Sequence, residues 1–314
     1  MENTMIKKQR YGVEIEMTGI TREKAANIVK EVISGTITGP DSTCYHTRKI
    51  KGSDGRSWQV MRDSSINPVR NDGTTEYMDE YKVELVTPIL KYEDLETLQA
   101  IIRALRTAGA KSNSSCGIHV HVDGANHTSS SLKKLVEFFT NRQDLIYESL
   151  QIGDRADRWC KKINKDLNSA FKNDKEGRNL EALWYSGAND GYYGGISHEH
   201  YNSTRYHGLN LHAFFSKGTV EFRLFNGTLH AGKIKAYVQF CLALSGWAIL
   251  TGSEATRYYG MEGYTAEKKV TIMRNLLTQR LGLTGDEFKT CRLWMMEPLK
   301  KSAGLSTRVP RQAA

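Results

Sequence analysis

The chain of 314 residues lacks several features that assign proteins quickly. Its five cysteines are scattered and form no C-x-x-C pair, which argues against a disulfide framework or a structural zinc site and fits a reducing cytoplasm. The longest apolar stretch, 236–250, is shorter than the roughly 20 residues of a membrane span. The first residues have no apolar core of the secretory type. We therefore expect a cytoplasmic protein without a membrane partner.

Glycine-rich phosphate loops are also missing. Neither G-x-x-x-x-G-K-[ST] nor G-x-G-x-x-G occurs, so metals and side chains would have to hold any bound nucleotide. The sequence has no internal repeat, low-complexity segment or Pro/Gly-rich linker, which favours a single domain. Its predicted strands are clustered between helices and do not alternate strictly with them. This order predicts an α+β fold with a mainly antiparallel sheet flanked by helices.

What the sequence does contain is three segments with chemically active side chains at alternate positions of an apolar run. Because strand side chains alternate with period two, the polar residues of each segment share one face, and the apolar residues between them face a core. We therefore expect one sheet face lined for chemistry. The segments are 11–17 with Glu14 and Glu16, 117–123 with His119 and His121, and 219–225 with Glu221 and Arg223.

The residue types on this face indicate phosphoryl chemistry. Carboxylates and imidazoles without thiolates suit Mg²⁺ or Mn²⁺, while the histidines keep Zn²⁺ open. Arg223 lies two residues after Glu221 and could hold an anionic group beside a metal, because its planar guanidinium makes two parallel hydrogen bonds. No nucleophile–base pair is recognisable. Metal plus arginine therefore predicts catalysis by positioning and charge neutralisation.

The remaining segments give predictions of secondary structure. The sequence predicts a hairpin at residues 43–62 and a capping box at residues 284–287. It also predicts a loop at residues 185–208, which could cover a substrate cleft. A single helix is predicted at each of 129–150, 155–171, 231–250, 265–281 and 284–297, and a second hairpin at 207–214 and 219–225.

The net charge of +9 permits contact with a polyanion without requiring it. Part of this charge is concentrated in residues 298–314, which contain no acid. We predict a basic, flexible tail there, which could contact a polyanion, after a single domain at 1–297 whose residues 254–297 form extra helices. The basic residues of the tail are Lys300, Lys301, Arg308 and Arg311.

Four motifs occur in a characteristic order: YGVEIE near the start, VELVTP at 83–88, CGIHVHV at 116–122, and LNL followed by VEFRLFNGT within 209–228. Together they resemble the amidoligase family, a branch of the carboxylate–amine ligases that also includes glutamine synthetase and the glutamate–cysteine ligases. The resemblance covers about residues 10–250. It implies a glutamine-synthetase-like curved sheet that binds ATP and Mg²⁺, or Mn²⁺, on its concave face.

The resemblance also implies a reaction and a set of roles. ATP phosphorylates a carboxylate, and an amine then displaces phosphate to give an amide or isopeptide bond. His121 matches a histidine near the nucleotide phosphates. Arg223 matches an arginine that contacts the nucleotide phosphates or the acyl phosphate. Arg205 matches a phosphate-binding arginine. Asp63 resembles an acid that family members place closer to the next strand. The implied metal ligands are Glu14, Glu16, Glu84, His119 and Glu221.

Two other functions stay open. One is a metal-dependent hydrolase that uses the H-x-H-x-D segment ending at Asp123. The other is a basic nucleic-acid-binding or structural protein derived from the ligase fold. For a ligase, the acid and the amine could each be a small molecule, a peptide or a protein side chain, and the oligomeric state is undetermined.

Overall fold

A computed structural model describes residues 3–70, 72, 74, 78–188, 195–251 and 260–305. Within these residues, eight strands form one sheet in the order β2-β3-β4-β5-β1-β6-β8-β7, and every neighbouring pair is antiparallel. The predicted α+β class with an antiparallel sheet is confirmed. The strands are β1 (Tyr11–Met17), β2 (Thr36–Thr38), β3 (Arg48–Lys51), β4 (Ser57–Met61), β5 (Val83–Val86), β6 (Gly117–Asp123), β7 (Leu209–Asn210) and β8 (Thr219–Asn226).

Helices account for most of the remaining structure. Thr21 begins the first of them, because its side chain accepts a hydrogen bond from the backbone N–H of Lys24. The α-helices are α1 (Arg22–Ile33), α2 (Leu95–Thr107), α3 (Ser129–Thr140), α4 (Gln143–Leu150), α5 (Arg155–Arg158), α6 (Lys165–Asn173), α7 (Leu180–Gly187), α8 (His212–Lys217), α9 (Ala231–Leu250), α10 (Ala266–Asn275) and α11 (Lys289–Ser302). Among the described residues, no helix combines the length and the apolar character needed to cross a membrane.

The two faces of the sheet differ as the alternation predicts. The apolar face packs against helices that include α1 and α9, with α2 between them. It contributes fully buried side chains to one continuous core: Val13, Ile15, Val120, Val122, Val220, Phe222 and Leu224. Because helices cover this face, the polar residues of β1, β5, β6 and β8 all lie on the opposite one.

Three predicted elements are wrong, because the chain leaves the predicted conformation at a particular residue in each. The helix predicted at 129–150 breaks at Arg142, whose φ of −130° is not helical. The helix predicted at 155–171 breaks where Lys161 exchanges backbone hydrogen bonds with the chain at Tyr206 and Gly208. In place of the strand predicted at 207–214, only a two-residue strand forms before α8, because the Asn210 side chain caps the backbone N–H of His212.

The C-terminal helices also differ from the prediction. The predicted capping box is wrong, since Gly285 precedes a short 3₁₀ turn that leads into α11. Helix α11 then continues to Ser302, five residues beyond the predicted boundary at 297, because Leu299 is buried against the core. Residues 298–302 are therefore helical and not part of a flexible tail. The rest of the predicted tail, 306–314, lies outside the described residues.

Candidate functional site

The antiparallel register places the polar residues of the central strands in three adjacent rows. The two outer rows each contain one glycine, Gly12 in the first row and Gly117 in the third. Gly12, His121 and Glu221 form the first row, Glu14 and His119 the second, and Glu84, Glu16 and Gly117 the third. Segments far apart in sequence are thereby brought onto one small area of the sheet.

His119 lies at the centre of this area. Its Nδ1 is 2.8 Å from Glu14 Oε2 and 3.8 Å from Glu221 Oε1, and its Nε2 is 3.6 Å from Glu16 Oε1. The imidazole is 4% exposed, so water provides little alternative hydrogen bonding. Both ring nitrogens of His119 therefore face carboxylates.

Two overlapping triads of these side chains could each hold a cation. Glu14, His119 and Glu221 form one triad, and Glu16, Glu84 and His119 form the other. Within each triad the ligand atoms lie within 4.8 Å of one another. Oxygen ligands with a single shared nitrogen suit Mg²⁺ or Mn²⁺ better than a thiophilic metal. All five residues implied as metal ligands are thus brought together.

The electrostatics of the second triad also fit a cation. Burial and then the charge of Asp63 raise the pKa of Glu16 to about 8. Burial and then the charge of Glu14 raise the pKa of Glu84 well above its usual range. Burial, with Arg223, lowers the pKa of His119 to about 4, so the imidazole is neutral near pH 7 and can act as a ligand. Buried carboxylates that repel one another are a suitable environment for a divalent ion.

Glu221 is held from two sides. Arg223 Nη1 donates to its Oε1 at 2.7 Å, and Asn210 Nδ2 donates to its Oε2 at 2.6 Å. Burial opposes ionisation, but the charges of Arg223 and His121 lower the pKa of Glu221 to about 2. The sequence analysis missed Asn210, although it lies in the LNL motif that the resemblance uses.

His121 connects the first triad to a neighbouring cleft. Its Nε2 is 3.3 Å from Glu14 Oε1, and its Nδ1 lies 3.0 Å from Thr219 Oγ1. Burial lowers the pKa of His121, but the carboxylates of Glu221 and Glu14 outweigh it and raise that pKa. The Nε2 atom faces two carboxylates, because Glu221 Oε1 also lies 3.7 Å from it.

The cleft begins at Glu14 and His121 and has a volume of about 310 Å³. Gly12 lies in its floor, Ile89 and Pro88 form an apolar wall, and Lys217 adds a positive charge. Ile89 is 63% exposed, so its side chain is accessible in this wall. The cleft is adjacent to the first row of the site and lies at the opposite end from Glu84.

Arg205 is the one implied site residue outside this cluster. Its Nη1 donates to the carbonyl of His200 at 2.7 Å. Its guanidinium lies 5.7 Å from the ring centre of Tyr206, and that of Arg223 lies 5.8 Å from the same ring. Arg205 is therefore at the rim of the site, in the segment predicted to be a cover. Residues 189–194 of that segment lie outside the described residues.

Asp63 lies near the cluster despite its longer sequence distance from β5. Its Oδ1 accepts hydrogen bonds from the backbone N–H of Ser65 at 2.7 Å and from the Ser65 hydroxyl at 2.6 Å. Its charge helps to raise the pKa values of Glu16 and Glu84. Asp63 thus contributes negative charge at the third row.

Arg155 is a site residue that the sequence analysis missed altogether. Its guanidinium lies directly over Gly117, so a Cβ atom at that position would be 2.9 Å from Arg155 Cζ. The backbone N–H of Gly117 donates to Glu16 Oε2 at 2.6 Å. The arginine therefore fills the space above the third row, next to the second triad. No periodic pattern in the segment that contains it marks it as functional.

Comparison with known proteins assigns this arrangement to a family. A family model described as putative amidoligase enzyme matches residues 7–245, about three quarters of the chain. The chain belongs to this family. The match includes every residue of the two triads, Arg223, Arg205 and Arg155, and ends within α9. Family membership indicates a ligase-type enzyme. No curated protein matches the chain.

Cation binding should depend on pH in a defined direction. The pKa of Glu16 is about 8 in the folded chain, against an ordinary value of 4.5. A carboxyl with a raised pKa contributes stability at acidic pH, which is lost as the pH rises through about 8. A cation needs the ionised form, so its apparent affinity should rise about tenfold per pH unit for each proton displaced.

Thermal melting with and without Mn²⁺, at about pH 6.5 and about pH 8.5, measures this dependence. We expect the larger stabilisation at the higher pH. The exposed Glu23 on α1 offers a matched control, since Glu23→Gln should leave the dependence unchanged. Equal stabilisation at both pH values would contradict proton displacement from Glu16.

Proposed function

We propose that the protein is an ATP- and Mg²⁺-dependent carboxylate–amine ligase, in which Mn²⁺ can replace Mg²⁺. The observation that carries this proposal is the pair of carboxylate–histidine triads sharing His119, with the Arg223 guanidinium held beside them. Ligase-type membership of the family supports it. The active unit would be one catalytic domain on a glutamine-synthetase-like sheet in the cytoplasm.

The proposed reaction has two steps. A carboxylate oxygen of the acid substrate bonds to the γ-phosphorus of ATP while the bond from that phosphorus to the ADP oxygen breaks. The amine nitrogen then bonds to the carbonyl carbon of the acyl phosphate, phosphate leaves with its bonding electron pair, and the nitrogen loses a proton. The product is an amide or isopeptide bond.

The residues have separate roles in this proposal. Divalent ions at the two triads would neutralise the phosphate charge. Arg223, buried and fixed by Glu221, would direct its remaining N–H groups to the transferred phosphoryl group. Arg205 at the rim would contact phosphate when the segment around it covers the site. His121 would lie beside the phosphates, since it lines the cleft next to the first row.

The nucleotide would occupy the cleft next to the first row. The volume of the cleft, about 310 Å³, is at the lower end of the range typical of small-molecule sites, roughly 300–1,000 Å³. Its apolar wall suits a purine ring, and Lys217 suits a phosphate. This arrangement would replace the glycine-rich loop that the sequence lacks.

The hydrolase alternative is less well supported by the geometry. Asp123 Oδ2 accepts a hydrogen bond from Arg10 Nε at 2.7 Å, and its Oδ1 accepts from the backbone N–H of Ala125 at 3.0 Å. Neither candidate metal triad in the described part of the chain contains Asp123. The H-x-H-x-D segment therefore does not form its own metal site. A role in binding polyanions stays a prediction, because two of the four basic residues that suggest it, Arg308 and Arg311, lie outside the described residues.

Hydroxylamine offers a test that needs no knowledge of the amine. It captures an acyl phosphate as a hydroxamate, so the protein, MgATP, hydroxylamine and a panel of carboxylates should give hydroxamate and ADP in equal amounts. Omitting the carboxylate is the control. If neither Mg²⁺ nor ATP raises the melting temperature at millimolar concentration, the proposal is wrong.

The position of the nucleotide can be tested at Gly12. A Cβ atom there would meet Thr87 Oγ1 at 3.7 Å, an ordinary contact, so the strand should accept a side chain. Gly12→Leu should fill the cleft and lower the affinity for the non-hydrolysable ATP analogue AMPPNP by at least about tenfold, which corresponds to about 1.4 kcal/mol. Calorimetric titration measures it, with Gly12→Ala as the matched control. Unchanged affinity in Gly12→Leu would place the nucleotide elsewhere.

A further inference from the structure

Two arginines of the site have unused donors: Arg155 at the end away from the cleft, and Arg223 beside Glu221. The Nε atoms of Arg155 and Arg223 are both buried, and neither has a hydrogen-bond partner in the part of the chain that the structure describes. A buried donor without a partner costs free energy, so such atoms in a native protein need an explanation. Two of them on guanidinium groups that face one site indicate an oxyanion that binds there.

The position of Arg155 depends on a particular glycine. Gly117 is the residue of the third row next to Glu16, and its backbone N–H donates to Glu16 Oε2 at 2.6 Å. A Cβ on Gly117 would lie 2.9 Å from Arg155 Cζ, which is too close for a real contact, and 3.1 Å from Nη1, which is tight. The absence of a side chain at 117 is what lets the guanidinium reach the sheet.

Among the described residues, Arg155 makes no ion pair with a carboxylate, although its charge acts on the nearby Glu16 and lowers the pKa of that carboxyl. Arg223, in contrast, donates to Glu221 at 2.7 Å. A guanidinium that is not committed to a protein carboxylate can bind one from a ligand with two parallel hydrogen bonds. The cleft proposed for the nucleotide is at the other end of the rows, adjacent to His121.

We propose that Arg155, seated over Gly117, forms the subsite for a carboxylate of the acid substrate. This inference rests on the proposed ligase function and adds the position from which the acid approaches: across the third row, opposite the nucleotide. The acid would lie next to the Glu16–Glu84–His119 triad, with Arg223 between it and the nucleotide. The substrate would therefore carry its negative charge at the Arg155 end of the site.

Binding measurements can test the subsite without knowing the true substrate. Acetate, succinate and glutamate serve as carboxylate probes, titrated into the protein saturated with Mg²⁺ and AMPPNP. Charge-assisted hydrogen bonds contribute about 1.5–3 kcal/mol, so Arg155→Met should weaken the best probe by about 10- to 100-fold. Arg155→Lys should lie between, because it keeps the charge and loses the planar fork.

Gly117→Ala provides an independent variant. Its Cβ would push the Arg155 guanidinium away from the sheet, while residue 155 itself is still an arginine. We expect it to weaken the same probe at least about tenfold. Arg158 is an exposed residue of the same helix, and its guanidinium lies 4.6 Å from the ring centre of Trp159. Arg158→Met changes the same charge and should leave every affinity unchanged.

The outcomes separate this inference from the proposed function. If Mg²⁺ and AMPPNP do not bind the unaltered protein, the ligase proposal itself fails. If they bind and no carboxylate probe does, or Arg155→Met binds the probes normally, the subsite is wrong. If Arg155→Met instead weakens AMPPNP and not ADP, Arg155 contacts the γ-phosphate, which also overturns the inference.

Discussion

His119→Gln should abolish the reaction and cation binding together. His119 belongs to both triads, so its replacement removes a ligand from each candidate cation site at once. Metal ions supply several kcal/mol of transition-state stabilisation, and each 1.36 kcal/mol is tenfold in rate. We therefore expect hydroxamate formation to fall by at least about 10³-fold. Stabilisation by Mn²⁺ in thermal melting should disappear in the same variant.

His121→Gln is the informative comparison for this variant. His121 lies two residues along the same strand and belongs to neither triad. The His121→Gln variant should still be stabilised by Mn²⁺ and should bind AMPPNP more weakly. Melting temperatures without cation report whether either replacement damages the fold. If His119→Gln retains Mn²⁺ stabilisation, the shared-ligand arrangement is wrong.

The strand alternation predicted which residues share a face, and the reason is local. Side-chain direction in a strand follows from backbone geometry within a few residues, so Glu14 with Glu16, and His119 with His121, could be paired from the sequence. The order of the strands could not be obtained in this way. That Glu14 lies opposite His119 depends on hydrogen bonds between segments about a hundred residues apart. The resemblance supplied that information indirectly.

The missed residues share a different cause. Asn210 and Arg155 act through contacts between different elements, from Asn210 to Glu221 on the next strand and from Arg155 to the surface above Gly117. A single asparagine or arginine outside a periodic run gives no signal of this kind. Gly117 carried a usable signal, because a glycine beside a functional strand segment indicates close approach of another group. Only the structure identifies that group as Arg155.

Arg223 tests whether the guanidinium acts in catalysis or only neutralises Glu221. Arg223→Lys keeps a positive charge near the carboxylate, although it loses the planar fork. If the fork stabilises the transferred phosphoryl group, kcat should fall by about 10²- to 10³-fold, the usual effect of removing a transition-state donor. Stabilisation by Mn²⁺ should be retained, because Arg223 belongs to neither triad. A lysine variant with full activity would leave Arg223 only a structural role.

Urea denaturation measures separately how much the ion pair between Arg223 and Glu221 stabilises the fold. Arg223 is 5% exposed and its partner Glu221 is 3% exposed, so Arg223→Met leaves a buried carboxylate without its counter-charge. Breaking such a pair costs about 3–5 kcal/mol of unfolding free energy, whereas replacing both partners costs much less. The double variant Glu221→Gln/Arg223→Met should therefore be more stable than Arg223→Met alone, and both should be inactive. The double variant would then regain unfolding free energy without regaining activity. The neutral pair removes the unpaired buried charge, but it does not supply the positive charge that the phosphoryl group requires.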